Sequence, residues 1–288
     1  MAHIRIAVVA DIHHGQDTLT KKGSAAIPLL RRFIADVESG GFDAVFDLGD
    51  RISDESPERD CALQAEVARH FGELRIPRHH VSGNHDHAML SAAVNEAILD
   101  APTTSRSVLI GHVRCVFWQP DVTLTRERGF HLGPDDLNEL SNLLEADDRP
   151  TLLASHVPLS SHAQTGNYYF EHNPGHATFA EVGAIREAIA RAPCPVVALA
   201  GHVHWNTLTT VDGTPHLTLQ SLTETFTTGE AAESTGVLEI DGDVLRWTVV
   251  GREPFAVTLP WRRTKPKWRA PLPSFAREEG SALFARRG

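Results

Sequence analysis

The sequence predicts an α/β layered fold, and three features of its first third carry that expectation. Ile4 to Ala10 and Ala44 to Leu48 are short apolar runs rich in branched residues, as buried strands are. Between them, Ala25 to Glu38 has the amphipathic spacing of a helix, which makes a strand, helix, strand unit. Helical patterning returns from Arg59 to Glu73, a strand follows at Arg78 to Ser82, and a helix is expected near His87 to Leu99. That alternation is the mark of α/β layers.

The middle of the chain is more β-like at Ser107 to Ile110 and Val113 to Trp118. A helix is expected after Gly133-Pro134-Asp135-Asp136, where acidic residues suit a helix start. Thr151 to Ser155 and Val196 to Ala200 read as further buried strands, with a polar loop from Ser160 to Gly175 and a helix to about Arg191 between them. Trp205 to Val211, Pro215 to Leu219, Gly236 to Ile240 and Val244 to Val250 resemble antiparallel strands, with Asp212-Gly213 and Asp241-Gly242 as turns. The expected division is a main domain over 1–255 and an extension over 256–288 that is basic and interrupted by proline and tryptophan. The extension is expected to pack its tryptophans on its own domain or on a second subunit, which leaves a homo-oligomer open.

At 288 residues the chain can bury a sizeable core. No stretch approaches the roughly 18 apolar residues of a membrane span, and Met1 to Arg5 leads into a strand instead of a signal-peptide core, so no membrane and a cytoplasmic setting are expected. Cys61, Cys115 and Cys194 lie in no paired spacing and read as reduced, structural thiols. A formal charge of -10 argues against nucleic acid as partner and favours a small molecule.

Five polar motifs each follow an apolar strand: Asp11-Ile12-His13, Gly49-Asp50, Gly83-Asn84-His85-Asp86, Ser155-His156 and Gly201-His202-Val203-His204. Loops beyond the carboxyl ends of strands are where α/β sheets collect binding groups, so the five are expected to converge. Asp11 with His13, and His202 with His204, are two residues apart and would share one face of extended backbone. The adjacent glycines allow sharp turns or close backbone approach. Carboxylate, imidazole and one amide oxygen, without thiolate, suit Mn, Fe, Co or Zn. Seven ligands are too many for one tetrahedral ion but suit two ions about 3.5–4 Å apart. Two divalent ions bring +4 against -2 from Asp11 and Asp50, leaving a pocket of about +2 that would attract a phosphate ester.

Motif by motif and in chain order, Asp11 to His204 resembles the calcineurin-like metallophosphoesterases. The resemblance implies a four-layer αββα sandwich, two central mixed β-sheets flanked by helices, over 1–255. It also implies a binuclear centre of divalent or mixed-valence transition metals. Asp11, His13 and His204 would hold the first ion, Asn84, His156 and His202 the second, and Asp50 would bridge them. His85 would be the catalytic histidine that is not a ligand, with Asp86 orienting it. The implied reaction is in-line attack of a metal-bridging hydroxide on phosphorus.

The motif set most resembles class III cyclic nucleotide phosphodiesterases and glycerophosphodiesterases, which makes a small phosphodiester the expected substrate. Phosphomonoesterase or nucleotide pyrophosphatase activity is the alternative, and a non-catalytic binding scaffold is the alternative of another class. Two departures weaken the subclass: Arg51-Ile52-Ser53-Asp54 follows Asp50 where relatives often place an aliphatic residue, and Val81-Ser82 precedes Gly83 where proline is frequent. Expected substrate contacts are Asn84 and His85, with His14, Arg51, Tyr168, Tyr169 and His172 around them. Tyr168, Tyr169 and Phe170 read either as a lid over an ester group or as a loop pinned by its own aromatics.

Overall fold

The structure is a computed structural model that describes residues 3–262, 264, 265 and 267–272. In chain order its strands are β1 (Ile4–Val9), β2 (Ala44–Asp47), β3 (Arg78–His80), β4 (Arg106–Ile110), β5 (Val113–Phe117), β6 (Thr151–Ala154), β7 (Val196–Ala200), β8 (Thr207–Val211), β9 (Thr214–Thr218), β10 (Thr235–Asp241), β11 (Val244–Val250) and β12 (Phe255–Pro260). The helices are α1 (Ala26–Gly40), α2 (Pro57–Phe71), α3 (Asn84–Ala88), α4 (Ala92–Leu99), α5 (Asp136–Glu145) and α6 (Val182–Arg191). One six-stranded sheet has the order β12-β11-β10-β1-β2-β3, the other β4-β5-β6-β7-β9-β8.

The two-residue period of each strand sorts its side chains between layers. Ile4, Ile6 and Val8 of β1 join Phe117 of β5, Leu199 of β7 and Trp247 of β11 in the core between the sheets. Ala7 and Val9, on the other face of β1, pack on Leu30, Phe33, Ile34 and Val37 of α1 and on Val67 and Phe71 of α2. Val116 and Leu153 of the second sheet pack on Leu140 and Leu144 of α5 and on Ile185 and Ile189 of α6. Helix, sheet, sheet, helix is the four-layer sandwich the resemblance implied. Each sheet has a parallel half, β1-β2-β3 and β5-β6-β7-β9, whose carboxyl ends carry the motif loops.

Two expectations are corrected. The helix near His87 to Leu99 is two helices, because Ser91 caps a fresh start by accepting from the Val94 amide at 3.3 Å, and the first begins earlier, at Asn84. The domain break after residue 255 falls inside β12, which pairs along its length with β11. Trp261 beyond it is 4% exposed and belongs to the core between the sheets. Further on, the Lys265 ammonium donates to the carbonyls of Ile189, Ala190 and Ala192 at the end of α6, where unpaired carbonyls favour a cation. The expected extension therefore begins by packing on its own domain, and its residues 263, 266 and 273–288 lie outside the described residues. Among the described residues no helix is long and apolar enough to cross a membrane.

Candidate metal centre

The five loops converge, but not through extended backbone. Asp11, His13, Asp50, His202 and His204 all have φ between 47° and 69°, and they are five of the nine non-glycine residues with positive φ among the described residues. Each of these conformations costs energy that the surrounding structure must hold in place. Here it does so with hydrogen bonds: the amides of Asp11 and His13 donate to the carbonyls of Gly49 and Asp50, both at 2.9 Å. The His202 amide donates to Asp11 Oδ2 at 2.9 Å, and Ser221 Oγ donates to the Asp11 carbonyl at 2.6 Å. So the paired residues share a site through tight left-handed turns, where an extended strand was expected.

Two glycines are required by space. A Cβ on Gly83 would lie 2.1 Å from Asp50 Oδ1 and 2.6 Å from His156 Cε1, and one on Gly201 would lie 2.6 Å from Asp11 Oδ2.

Asp11, His13 and His204 form one buried group able to hold an ion, and Asp50, His156 and His202 a second. Asp50 Oδ2 lies 3.3 Å from His156 Nε2 and 3.8 Å from His13 Nε2, so one carboxylate oxygen faces both groups. His13 Nε2 lies 3.0 Å from His204 Nε2, and Asp11 Oδ1 lies 3.3 Å from His204 Nε2. Donors about 2.1 Å from a common ion, roughly 90–110° apart, stand about 3.0–3.4 Å from one another. The spacing fits ions.

The outer hydrogen bonds decide which ring nitrogen each histidine offers. His156 Nδ1 donates to the Leu48 carbonyl at 2.8 Å and leaves Nε2; His202 Nε2 donates to the His176 carbonyl at 2.7 Å and leaves Nδ1. His204 Nδ1 bonds to the Glu224 carboxylate and leaves Nε2. Asn84 Oδ1 is buried without a hydrogen-bond partner among the described residues. Burial, reinforced by nearby Lys21 and His204, holds the His13 pKa well below the ordinary histidine value. Burial and His156 push His202 down to about 3. Burial also disfavours charge on His204, but Glu224 and Asp11 outweigh it and raise its pKa to about 10. Asp50 does the same for His156, to about 9.

A model of the calcineurin-like phosphoesterases matches residues 4–206. The chain belongs to that family. No curated protein matches it. It is similar in fold to a dimetal phosphatase from Danio rerio, at 14% identity and a TM-score of 0.72, over 90% of this chain and 99% of that one. A phosphopantetheinyl hydrolase from Mycobacterium tuberculosis is 13% identical with a TM-score of 0.50, over 76% of this chain and 90% of that one. The family and the two donor groups together point to a dimetal centre in a phosphoric ester hydrolase.

Several expected site residues stand elsewhere. Asp86 does not orient His85: it is fully buried and accepts from the backbone amides of Asp50, Arg51 and Gly83, each at 2.9 Å, fastening the Asp50 loop to α3. The partner of His85 Nδ1 is Asp54. Arg51 does not line the cleft. Its guanidinium is wholly buried between Asp47 at 2.8 Å and Asp86 at 3.0 Å, because those two carboxylates inside the fold need a cation. His14 turns to Glu66 of α2, at 2.9 Å, and His172 is exposed and does not line the cleft.

Asn84, His85, Tyr168 and Tyr169 do line it, in a cleft of about 280 Å³ whose floor includes Asp50, His202 and His204. Glu224, Phe226, Lys21 and Leu124 line it too, and sequence reasoning missed them. A signal existed for Glu224, since Ser221-Leu222-Thr223-Glu224 is a sixth polar loop at a strand end.

Proposed function

We propose that this chain hydrolyses small phosphodiesters of the cyclic nucleotide or glycerophosphodiester kind, using two divalent ions drawn from Mn, Fe, Co and Zn. The observation that carries this reading is Asn84 Oδ1, a buried amide oxygen left without a partner in the cleft that Asp50 and His202 also line. Such an oxygen is costly in a protein interior when nothing completes it, and a cation is a partner its chemistry suits. Asp11, His13 and His204 would hold one ion, Asn84, His156 and His202 the other, and Asp50 would touch both. Bound there, the ions would neutralise phosphoryl charge and make water a nucleophile near neutral pH.

The chain's own groups do the rest. Asp54 holds His85 by Nδ1, which leaves Nε2 at the cleft to pass a proton to the departing ester oxygen. The lining favours a diester over a monoester. Among its described residues Lys21 is the one lysine or arginine, while Tyr168, Tyr169, Phe170 and Phe226 are aromatic. A singly charged phosphate needs few cationic side chains, and its second ester group needs a surface. The three free cysteines, two of them buried, support a reducing, cytoplasmic setting.

The reading is tested by loading the protein with each of the four metals and comparing bis(p-nitrophenyl) phosphate with p-nitrophenyl phosphate. Diester turnover is expected to exceed monoester turnover with at least one metal. A protein that binds both ions and prefers the monoester refutes the diester assignment. One that binds them and cleaves neither refutes the enzyme.

A further inference from the structure

The cleft has an aromatic wall whose parts do different work. Tyr168, Tyr169 and Phe170 belong to a loop that Asn167 fixes in place. Its side-chain amide donates to the Val203 carbonyl at 3.1 Å, and its Oδ1 accepts from the amides of Tyr169 and Phe170 at 3.1 and 3.0 Å. Phe170 is 5% exposed and packs with Ala177 and Val203, and the Tyr169 hydroxyl lies 3.2 Å from His176 Nδ1. Phe170 thus pins the loop to the segment that carries His202 and His204, and Tyr169 pins it to the turn at His176. Tyr168 has no such duty. It is 60% exposed, and its hydroxyl has no hydrogen-bond partner among the described residues.

What Tyr168 meets is Phe226, which arrives from another part of the chain, with ring centroids 5.6 Å apart and planes 35° off parallel. Phe226 in turn lies nearly parallel to the His204 ring, with centroids 5.7 Å apart and a 17° angle. The line of rings therefore runs from a candidate metal ligand to the lip of the cleft. Single exposed aromatics are ordinary, but two from separate loops facing one cleft beside a binding centre form a surface. Both rings line the same cleft as Asp50, His202 and His204.

We infer that Tyr168 and Phe226 form a stacking platform for a planar ring carried by the substrate, which selects esters of the nucleotide class over those of the glycerol class. The inference rests on the phosphodiesterase reading and narrows it. Stacking on aromatic side chains suits any nucleobase, since every base has a π-face.

The test compares the metal-loaded protein with its Tyr168→Ala and Phe226→Leu variants. Adenosine 5′-phosphate and glycerol 3-phosphate are compared by equilibrium binding, and the methyl ester of each by methanol release. The unaltered protein is expected to favour the adenosine member of each pair. Each variant should reduce that preference about tenfold, the loss of one base–aromatic stack. Tyr168 is exposed, so its truncation leaves the core untouched. A preference that is absent, or unchanged in both variants, overturns the platform. Equal loss for adenosine and glycerol ligands also overturns it, by assigning the rings to support of His204. If neither ester releases methanol but the binding preference is seen and is lost in the variants, the platform stands and hydrolysis falls. If both esters turn over without preference, hydrolysis stands and the platform falls.

Discussion

The cluster of Asp11, His13 and His204 has a carboxylate behind it, Glu224 on His204 Nδ1, whereas the cluster of Asp50, His156 and His202 leans on the backbone carbonyls of Leu48 and His176. Both kinds of partner fix a ring and its tautomer, but the carboxylate also adds charge and raises ligand basicity. In the proposed assignment the second cluster would add only the neutral Asn84 to the Asp50 that faces both groups. The first pocket is thus the more anionic, and two cations placed in the pair should bind with unequal strength.

The comparison breaks most directly at the residue common to both halves. Asp50→Asn is expected to abolish binding of both ions and to reduce diester turnover to background, as read by metal analysis of the purified variant. Full retention of metal would show that the clusters are independent. Next in size is His85→Ala. His85 sits with His13 and Asp50 in a third group that could hold an ion, and its ring centroid is 4.9 Å from that of His13. If it serves as a proton donor, its removal keeps both ions and slows esters with poor leaving groups by about 10²–10⁴-fold. Loss of an ion would instead make it part of the first cluster.

Glu224→Gln addresses the asymmetry itself. Affinity for one ion is expected to fall about 10–100-fold with the other little affected, in a stepwise metal titration. Equal weakening of both would erase the distinction drawn above.

The smallest effect lies outside both clusters and separates folding-linked from metal-linked pH dependence. His216 of β9 is 4% exposed, and burial, with the Arg186 cation nearby, pushes its pKa down to about 4. The unfolded chain protonates this histidine near pH 6.5 and the folded chain resists, so its contribution is complete above pH 6.5 and is lost as pH falls toward 4. Between pH 7 and pH 5 the metal-free protein should lose about 2 kcal/mol more stability than His216→Gln in urea unfolding. Equal losses would remove His216 from the account.

The donor residues were legible because each sits in a short polar string directly after an apolar strand, where local order in the sequence mirrors local order in space. What was illegible depends on pairings across the chain. Glu224 matters only because Ser221 and Thr223 tie its loop to the carbonyls of Asp11 and Ile12. Arg51 looked like a substrate clamp because nothing local says that Asp47 and Asp86 are buried on either side of it. Asp54, four residues past Asp50, was visible as a carboxylate but not as the partner of His85, which comes from another strand end. β12 was missed although Phe255, Val257 and Leu259 alternate with smaller or polar residues, since an edge strand partly buried on one face and exposed on the other leaves only a short apolar pattern.

Asp11 and His13 leave the first sheet and His202 and His204 the second, while Asp50 comes from the first and His156 from the second. Neither cluster exists in a half-made chain. Neither of these two pockets is therefore complete until the two sheets have closed on each other, so a cation that needs the full donor set of either one meets it only in the finished cavity.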